Sequence, residues 1–140
     1  MAASDLFLDA SYVIALSATT DQHHRRAIVL SERLEASRIR LVTTRAVVLE
    51  IGNALSKLRY REAAVTLLNA IENDPMIEVV PLAEPLYARA LEFYQQRADK
   101  EWGLTDCISF IVMRERGIGE ALTADEHFRQ AGFRVLLADD

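Results

Sequence analysis

The sequence predicts a well-packed globular domain with an α/β fold and a largely parallel sheet, and two observations support these two parts of the prediction. Short apolar, strand-like runs alternate with helix-like segments from one end of the chain to the other. Hydrophobic residues make up 51% of the 140 residues and charged residues 26%, whereas glycine and proline number only 5 and 3. That composition is typical of a well-packed globular protein. A chain of this length is expected to form one domain, residues 1–140.

The predicted elements follow one another without a linker or an internal repeat. Strands are expected near residues 5–8, 39–42, 77–80, 120–123 and 134–137. Helices are expected near residues 10–17, 21–36, 44–58, 61–72, 84–97, 105–116 and 125–131, with a polar loop at 98–103.

Capping and helix-breaking residues set several of these bounds. The pair Thr20-Asp21 would cap the second helix, and Thr43 or Thr44 would cap the third. Asn73-Asp74-Pro75 would end the fourth, because proline disfavours a helical residue before it. Gly117 would end the sixth.

Four carboxylates stand where a folded domain would ordinarily place an apolar or neutral residue: Asp9, Glu50, Asp106 and Asp125. Asp9 and Asp125 each follow a strand-like run, at the edge where open α/β sheets bind ligands. Two like charges at about 4 Å repel by roughly 4 kcal/mol at an effective dielectric of 20. If the fold brings the four together, we therefore expect a bound cation or raised pKa values. All-oxygen donors suit Mg²⁺ or Mn²⁺ better than zinc.

Glu50 interrupts the apolar stripe of the third helix. It follows Val47 by three positions, and the stripe continues through Ile51 and Leu55 to Leu58. The spacing therefore predicts that Glu50 points toward the interior, where an unpaired carboxylate is costly unless it binds metal. The alternative is a glutamate at the edge of the stripe, paired to an arginine.

The other acids have structural alternatives. Asp9 could cap the helix after it, and Asp106 could be a first-turn acid with Thr105 as the N-cap. We nevertheless take Ser11, Asn53 and Thr105 as candidate supporting residues. Asn53, one turn after Glu50, could orient a carboxylate or a water, or could simply face solvent.

Several neighbouring residues are predicted to be mainly structural. Trp102 would pin the loop before Asp106, and Cys107 would be a small core residue. His23 and His24 would be solvated, and a contact from His127 to a phosphate is the less favoured interpretation.

Net charge, cysteine content and the length of the apolar runs exclude some functions and favour one cellular location. The net charge of −5 argues against a sequence-blind polyanion binder. A single cysteine excludes an internal disulfide framework, and no run reaches the roughly 18 apolar residues of a membrane span. We therefore expect a cytoplasmic protein without a membrane partner.

The four acids lie in four motifs, residues 6–11 (LFLDAS), 43–55 (TTRAVVLEIGNAL), 102–110 (WGLTDCISF) and 123–128 (TADEHF). In this order they closely resemble PIN domains, which are small metal-dependent ribonucleases, and particularly the VapC-type toxins of bacterial toxin–antitoxin pairs. The resemblance implies a PIN-like three-layer fold with about five parallel strands sandwiched by helices. It also implies a homodimer and inhibition by a cognate antitoxin protein.

For function, the resemblance implies an endoribonuclease in which Asp9, Glu50, Asp106 and Asp125 hold Mg²⁺ or Mn²⁺ and act on an RNA substrate. Either Glu50 or Asp125 would accept the proton of the attacking water. Arg45, or Arg25 with Arg26, would hold the RNA backbone. Two alternatives stay open: an RNA-processing PIN nuclease without an antitoxin, and a non-catalytic module whose acids bind a partner's arginine.

Two other α/β classes fit the sequence poorly. A receiver domain usually needs paired acids early in the chain, but no acid adjoins Asp9. A dinucleotide-binding fold would carry a glycine-rich turn after the first strand, which is missing after Asp9.

Overall fold

The computed structural model describes residues 4–138. Its five strands are β1 (Leu6–Leu8), β2 (Leu41–Thr44), β3 (Ile77–Val80), β4 (Glu120–Leu122) and β5 (Arg134–Val135). They form one sheet in the order β3-β2-β1-β4-β5, and every neighbouring pair is parallel. The predicted α/β fold with a parallel sheet is confirmed.

The sheet is flanked by seven helices in the described part of the chain. They are α1 (Ala10–Ser17), α2 (His24–Ser37), α3 (Arg45–Ala54), α4 (Leu58–Asn73), α5 (Glu84–Gln96), α6 (Leu104–Arg116) and α7 (Glu126–Gln130). Because helices cover the sheet, the central strand β1 is apolar and buried along its whole length rather than alternating.

Aromatic side chains join the second half of the chain to the sheet. Phe110 of α6 meets the ring of Phe128 edge-on at 5.0 Å and that of Trp102 at 5.1 Å, and all three side chains are buried. Such edge-to-face pairs add about 0.5–1.5 kcal/mol each beyond the burial of their area. They hold α6, which carries Asp106, against α7, which begins directly after Asp125.

Several predicted bounds shift in the structure. Helix α2 begins at His24 rather than near residue 21, because Asp21 accepts the backbone N–H of His23 (2.8 Å) and closes a turn before the helix. Strand β2 begins two residues later than predicted, at Leu41, and extends to Thr44. Strand β5 ends at Val135, and residues 136–138 form a turn.

The third helix is shorter than its apolar pattern predicts. It begins after Thr44, whose hydroxyl accepts the N–H of Val47 (3.1 Å), as expected of an N-cap. It ends at Ala54, whereas Leu58 starts α4 and is 91% exposed. The stripe from Val47 to Leu58 is therefore not one buried face.

The strand order places the ends of β1 and β4 next to each other. Phe7 pairs with Ala121 and Leu8 with Leu122, so Asp9 and Thr123 leave the sheet side by side. On the other side of β1, Phe7 pairs with Val42 of β2, the strand that leads into α3. The chain segments that carry Asp9, Glu50 and Asp125 thus meet at one edge of the sheet.

Within residues 4–138, no helix combines the length and the apolar character needed to cross a bilayer.

Candidate active site

Asp9 is a buried carboxylate held by two hydroxyl groups. It follows β1, is only 7% exposed, and makes no capping hydrogen bond to α1 with its side chain. Its Oδ2 accepts hydrogen bonds from Thr123 Oγ1 at 2.7 Å and from Ser11 Oγ at 3.1 Å. Burial raises the pKa of Asp9 above its ordinary value, and the hydrogen bonds from Thr123 and Ser11 act in the opposite direction. The residue is therefore not the simple helix cap that sequence alone allows.

The two hydroxyls also tie the β1 end to the β4 end. Ser11 Oγ lies 3.0 Å from Thr123 Oγ1 and accepts the N–H of Ala124 at 3.1 Å. Thr123 Oγ1 accepts the N–H of Asp125 at 3.1 Å. The network positions Asp125 relative to Asp9, and it includes Ser11, which the sequence predicts as a supporting residue.

Sequence reasoning missed Thr123 as a site residue. It is the first residue after β4 and is completely buried despite its hydroxyl. A polar residue between a strand end and Asp125 was the available indication, because a buried hydroxyl needs a hydrogen-bond partner.

Asp106 contacts both the start of α6 and the side chain of His127. Its Oδ2 accepts a hydrogen bond from the N–H of Gly103 at 3.0 Å. The ring Nδ1 of His127 also lies 3.0 Å from this oxygen. Gly103, not Thr105, occupies the N-cap position of α6, so that part of the prediction is wrong. Burial raises the pKa of Asp106, the bonds from Gly103 and His127 oppose the rise, and the charge of Asp125 adds to it.

Asp125 caps α7 and brings His127 into the cluster. Its Oδ1 accepts the N–H of His127 at 2.9 Å and lies 3.5 Å from the ring Nδ1 of the same residue. One ligand atom from each of Asp106, Asp125 and His127 can be chosen so that all three lie within 4.8 Å of one another. His127 therefore has a larger role than the sequence predicts. Its position two residues after Asp125, in the first turn of a short helix, was the available indication.

Glu50 does not point into the hydrophobic core, contrary to the prediction from helical spacing. It is exposed, whereas Val47 and Ile51 on the same helix are completely buried. Its pKa is nevertheless raised to about 7, first by the partial loss of water around the carboxyl and then by the charges of Asp9, Asp106 and Asp125. All three named charges are negative, so the four acids share one electrostatic environment at the edge of the sheet.

The remaining candidates lie outside this network. Asn53 is exposed, and the described contacts include no hydrogen bond from it to a carboxylate. Thr105 enters the described hydrogen bonds only through its backbone oxygen, which accepts Ser109 Oγ at 3.1 Å. The supporting roles expected of Asn53 and Thr105 stay predictions.

Structural roles account for several other residues. Trp102 is buried and its Nε1 donates to Gln130 Oε1 at 3.0 Å, so it pins the loop before α6 as predicted. Cys107 is completely buried, also as predicted. His24 is not simply solvated, because its Nδ1 lies 2.8 Å from the carbonyl oxygen of Ala15.

The donors fit a divalent cation. Carboxylate oxygens from different chain segments converge, burial raises the pKa of both Asp9 and Asp106, and mutual repulsion contributes to the raised pKa of Glu50. A divalent ion offsets such an excess of negative charge. Oxygen donors with a single imidazole suit Mg²⁺ or Mn²⁺ rather than a cysteine-bound metal.

Residues 6–134 match the sequence model of the PIN domain. The chain belongs to the PIN domain family. This PIN domain is 31% identical over 128 residues to the 23S rRNA-specific endonuclease VapC20 of Mycobacterium tuberculosis, covering 91% of this chain and 95% of the relative. The crystal structure of VapC20, described as a sarcin-ricin loop cleaving toxin, aligns with a TM-score of 0.80 over 92% of this chain and 96% of that one.

More distant structures share the fold. DNA-bound VapBC from Salmonella typhimurium aligns with a TM-score of 0.68 at 15% identity, over 95% of this chain and 97% of that chain. FitAcB from Neisseria gonorrhoeae aligns with a TM-score of 0.64 at 17% identity, over 93% and 95%. These alignments support the PIN-like arrangement of sheet and helices.

Proposed function

We propose that this PIN domain is a metal-dependent endoribonuclease that hydrolyses RNA phosphodiester bonds, and that residues 1–140 act as a single nuclease domain. The observation that carries the proposal is that Asp9, Glu50, Asp106 and Asp125, from four separate segments, share one edge of the sheet. The 31% identity to VapC20, a 23S rRNA-specific endonuclease, supports the same activity.

Asp9, Asp106 and Asp125 would hold the divalent ion, with Glu50 at the solvent side of the cluster. PIN nucleases use divalent metal ions, and we propose Mg²⁺ or Mn²⁺ here because most donors are carboxylate oxygens. When bound, such an ion supplies positive charge for the phosphate oxygens and lowers the pKa of an attacking water.

Neighbouring side chains orient the Asp9 carboxylate, and another carboxylate would accept the proton of the attacking water. Thr123 and Ser11 both donate to Oδ2 of Asp9, which fixes that carboxylate against rotation. Glu50 or Asp125 would accept a proton from water, since both residues reach solvent at the edge of the cluster. Ordering these groups before substrate binds removes reorganisation from the chemical step.

The arginines proposed for RNA binding differ in availability. Arg45 forms an ion pair with Glu72, and Arg26 donates from Nε to the carbonyl oxygen of Leu136 at 3.2 Å. Arg25 is exposed at the start of α2. We therefore favour Arg25 over Arg45 for contact with the RNA backbone.

Cleavage of RNA in the presence and absence of divalent ions tests the proposal. Purified protein is incubated with total bacterial RNA in Mg²⁺, in Mn²⁺ or in chelator, and new 5′ ends are mapped by sequencing. We expect a small set of ends that require the metal and that disappear with Asp9→Asn. Asp99→Asn is the matched control, because Asp99 pairs with Arg97 (3.0 Å) and is exposed. Ends that persist in chelator, or that survive Asp9→Asn, would refute the assignment.

We further propose that the protein is the toxin of a type II toxin–antitoxin pair. Complexes named VapBC and FitAcB share its fold, and VapC20 is itself described as a toxin. An antitoxin partner, a homodimer and a cytoplasmic location are parts of this proposal. Co-expression with the product of an adjacent small reading frame should abolish RNA cleavage; the alternative, an RNA-processing nuclease, predicts no such inhibitor.

A non-catalytic interaction module is the remaining alternative. In that case the acids would dock an arginine of a partner, and calorimetry should detect little ordered binding of Mn²⁺. Saturable binding of Mn²⁺ together with metal-dependent cleavage excludes it.

A further inference from the structure

His127 places a ring nitrogen between two carboxylates of the site. Its Nδ1 lies 3.0 Å from Asp106 Oδ2 and 3.5 Å from Asp125 Oδ1. The three side chains come from two helices, α6 and α7, and from the residue that caps α7. The imidazole is not buried among apolar side chains, since 31% of it is exposed and its described polar neighbours are these two acids.

These separations match neighbouring ligands on one octahedral cation. Ligand atoms about 2.1 Å from an ion in octahedral geometry lie about 3 Å apart when they occupy adjacent positions. The two nitrogen-to-oxygen distances, 3.0 and 3.5 Å, are close to that value, and the three residues can each supply one ligand atom within 4.8 Å of the other two. Small side-chain adjustments would bring all three into contact with one ion.

The backbone holds His127 in this position. The N–H of His127 donates to Asp125 Oδ1 at 2.9 Å, so the same carboxylate fixes both the main chain and the direction of the ring. Phe128, the next residue, is completely buried against Phe110 and keeps α7 from rotating. The ring is thus directed at the acids by its immediate neighbours in the chain.

We infer that His127 is a direct ligand of the divalent cation through Nδ1, beside Asp106 and Asp125. This inference rests on the proposed function. An imidazole ligand suits Mn²⁺ and later transition metals better than Mg²⁺, which demands oxygen donors. The ratio of Mn²⁺ affinity to Mg²⁺ affinity should therefore be larger at this site than at a site built from carboxylates alone.

Pulsed electron paramagnetic resonance of bound Mn²⁺ tests the inference directly. Purified wild-type protein is loaded with MnCl₂, and the spectrum is searched for the ¹⁴N coupling of a coordinated imidazole. We expect that coupling in the wild type, and its replacement by a ¹⁵N coupling when the histidines carry ¹⁵N. His127→Gln should lose the coupling, whereas the control His23→Gln, altered at the N-cap of α2, should keep it.

Calorimetry supplies the second measurement. His127→Gln should weaken Mn²⁺ binding at least about tenfold. That factor is the lower limit of the loss in affinity seen when a residue that supports a metal site is removed. Mg²⁺ binding should change much less, so the preference for Mn²⁺ should fall.

The outcomes separate this inference from the proposed function. Mn²⁺ bound by the wild type without nitrogen coupling would overturn the inference alone, because His127 would then only orient Asp106 by a hydrogen bond. Binding of Mg²⁺ without binding of Mn²⁺ would also overturn the inference alone, whereas failure of the wild type to bind either ion would overturn both. The wild-type spectrum decides the question even if His127→Gln does not fold.

Discussion

The hydroxyl of Thr123 donates a hydrogen bond of 2.7 Å to the carboxylate of Asp9, although 114 residues separate them in the chain. The contact exists because β1 and β4 are parallel neighbours that end at the same level, Leu8 beside Leu122. It gives a buried carboxylate a partner, which a charge removed from water requires. The proposed active site and the stability of the fold therefore depend on the same contact.

Replacing Thr123 by valine should destabilise the protein by about 1–3 kcal/mol, because a buried carboxylate loses a donor. Thr123→Ser should restore most of the loss, since it retains the hydroxyl. Urea unfolding measures both. Thr66→Val serves as control, because the described hydrogen bond of the Thr66 hydroxyl goes to the carbonyl oxygen of Glu62 on the exposed face of α4. Equal stability of the valine and serine variants would contradict the proposed role of the hydroxyl.

Asp9→Asn should reduce RNA cleavage at least about a hundredfold, the order of loss seen when a charge-stabilising group is removed from an active site. The fold should survive, because the amide is isosteric and the substitution removes a buried charge. Cleavage rates at saturating Mn²⁺ and circular dichroism spectra check both parts. Turnover equal to that of the wild type would count heavily against the metal site.

Glu50 should make the ion-free protein less stable as pH rises. Its carboxyl has a pKa of about 7 in the folded state against an ordinary value of 4.5, so folding favours the protonated form. The stabilisation is complete below about pH 4.5 and is lost as pH rises through about 7. In chelator, Glu50→Gln should therefore gain about 1 kcal/mol over the wild type between pH 5 and pH 8, a value discounted for solvent screening of an exposed group.

Urea unfolding of both proteins at the two pH values measures this difference. Glu32→Gln, on the exposed side of α2, is the matched control and should follow the wild type. A pH dependence that is identical in the wild type and Glu50→Gln would show that folding does not raise the pKa of Glu50, through either loss of water or the neighbouring acids.

Added Mn²⁺ should stabilise the folded protein by about 2.7 kcal/mol at a concentration one hundred times its Kd, because the ion binds only the folded state. Thermal unfolding with and without chelator measures the effect. Asp106→Asn should abolish most of it while keeping α6 capped, since the amide oxygen can still accept the N–H of Gly103. A Tm that does not respond to Mn²⁺ would argue for a docking module.

The sequence alone determined the architecture of this PIN domain and the edge of the sheet at which most of the acidic cluster lies. Alternation of apolar strands with helices predicts a parallel sheet, and acids placed after β1 and β4 then have to emerge at one edge. Both conclusions rest on local patterns, because strand and helix periodicity and the direction of parallel strands need no knowledge of distant contacts. The order of the four motifs was enough to indicate the family, which the match over residues 6–134 confirms.

Tertiary structure decided how the side chains meet. Helical spacing placed Glu50 on a face shared with Val47, but α3 stops at Ala54 and that part of its surface borders the acidic cluster rather than the core. Likewise, Thr123 gains its role from Asp9 at the junction of β1 and α1, and His127 gains its role from Asp106 in the first turn of α6. Periodicity gives the direction of a side chain relative to its own element, whereas the neighbouring element that it meets depends on the packing of the whole chain.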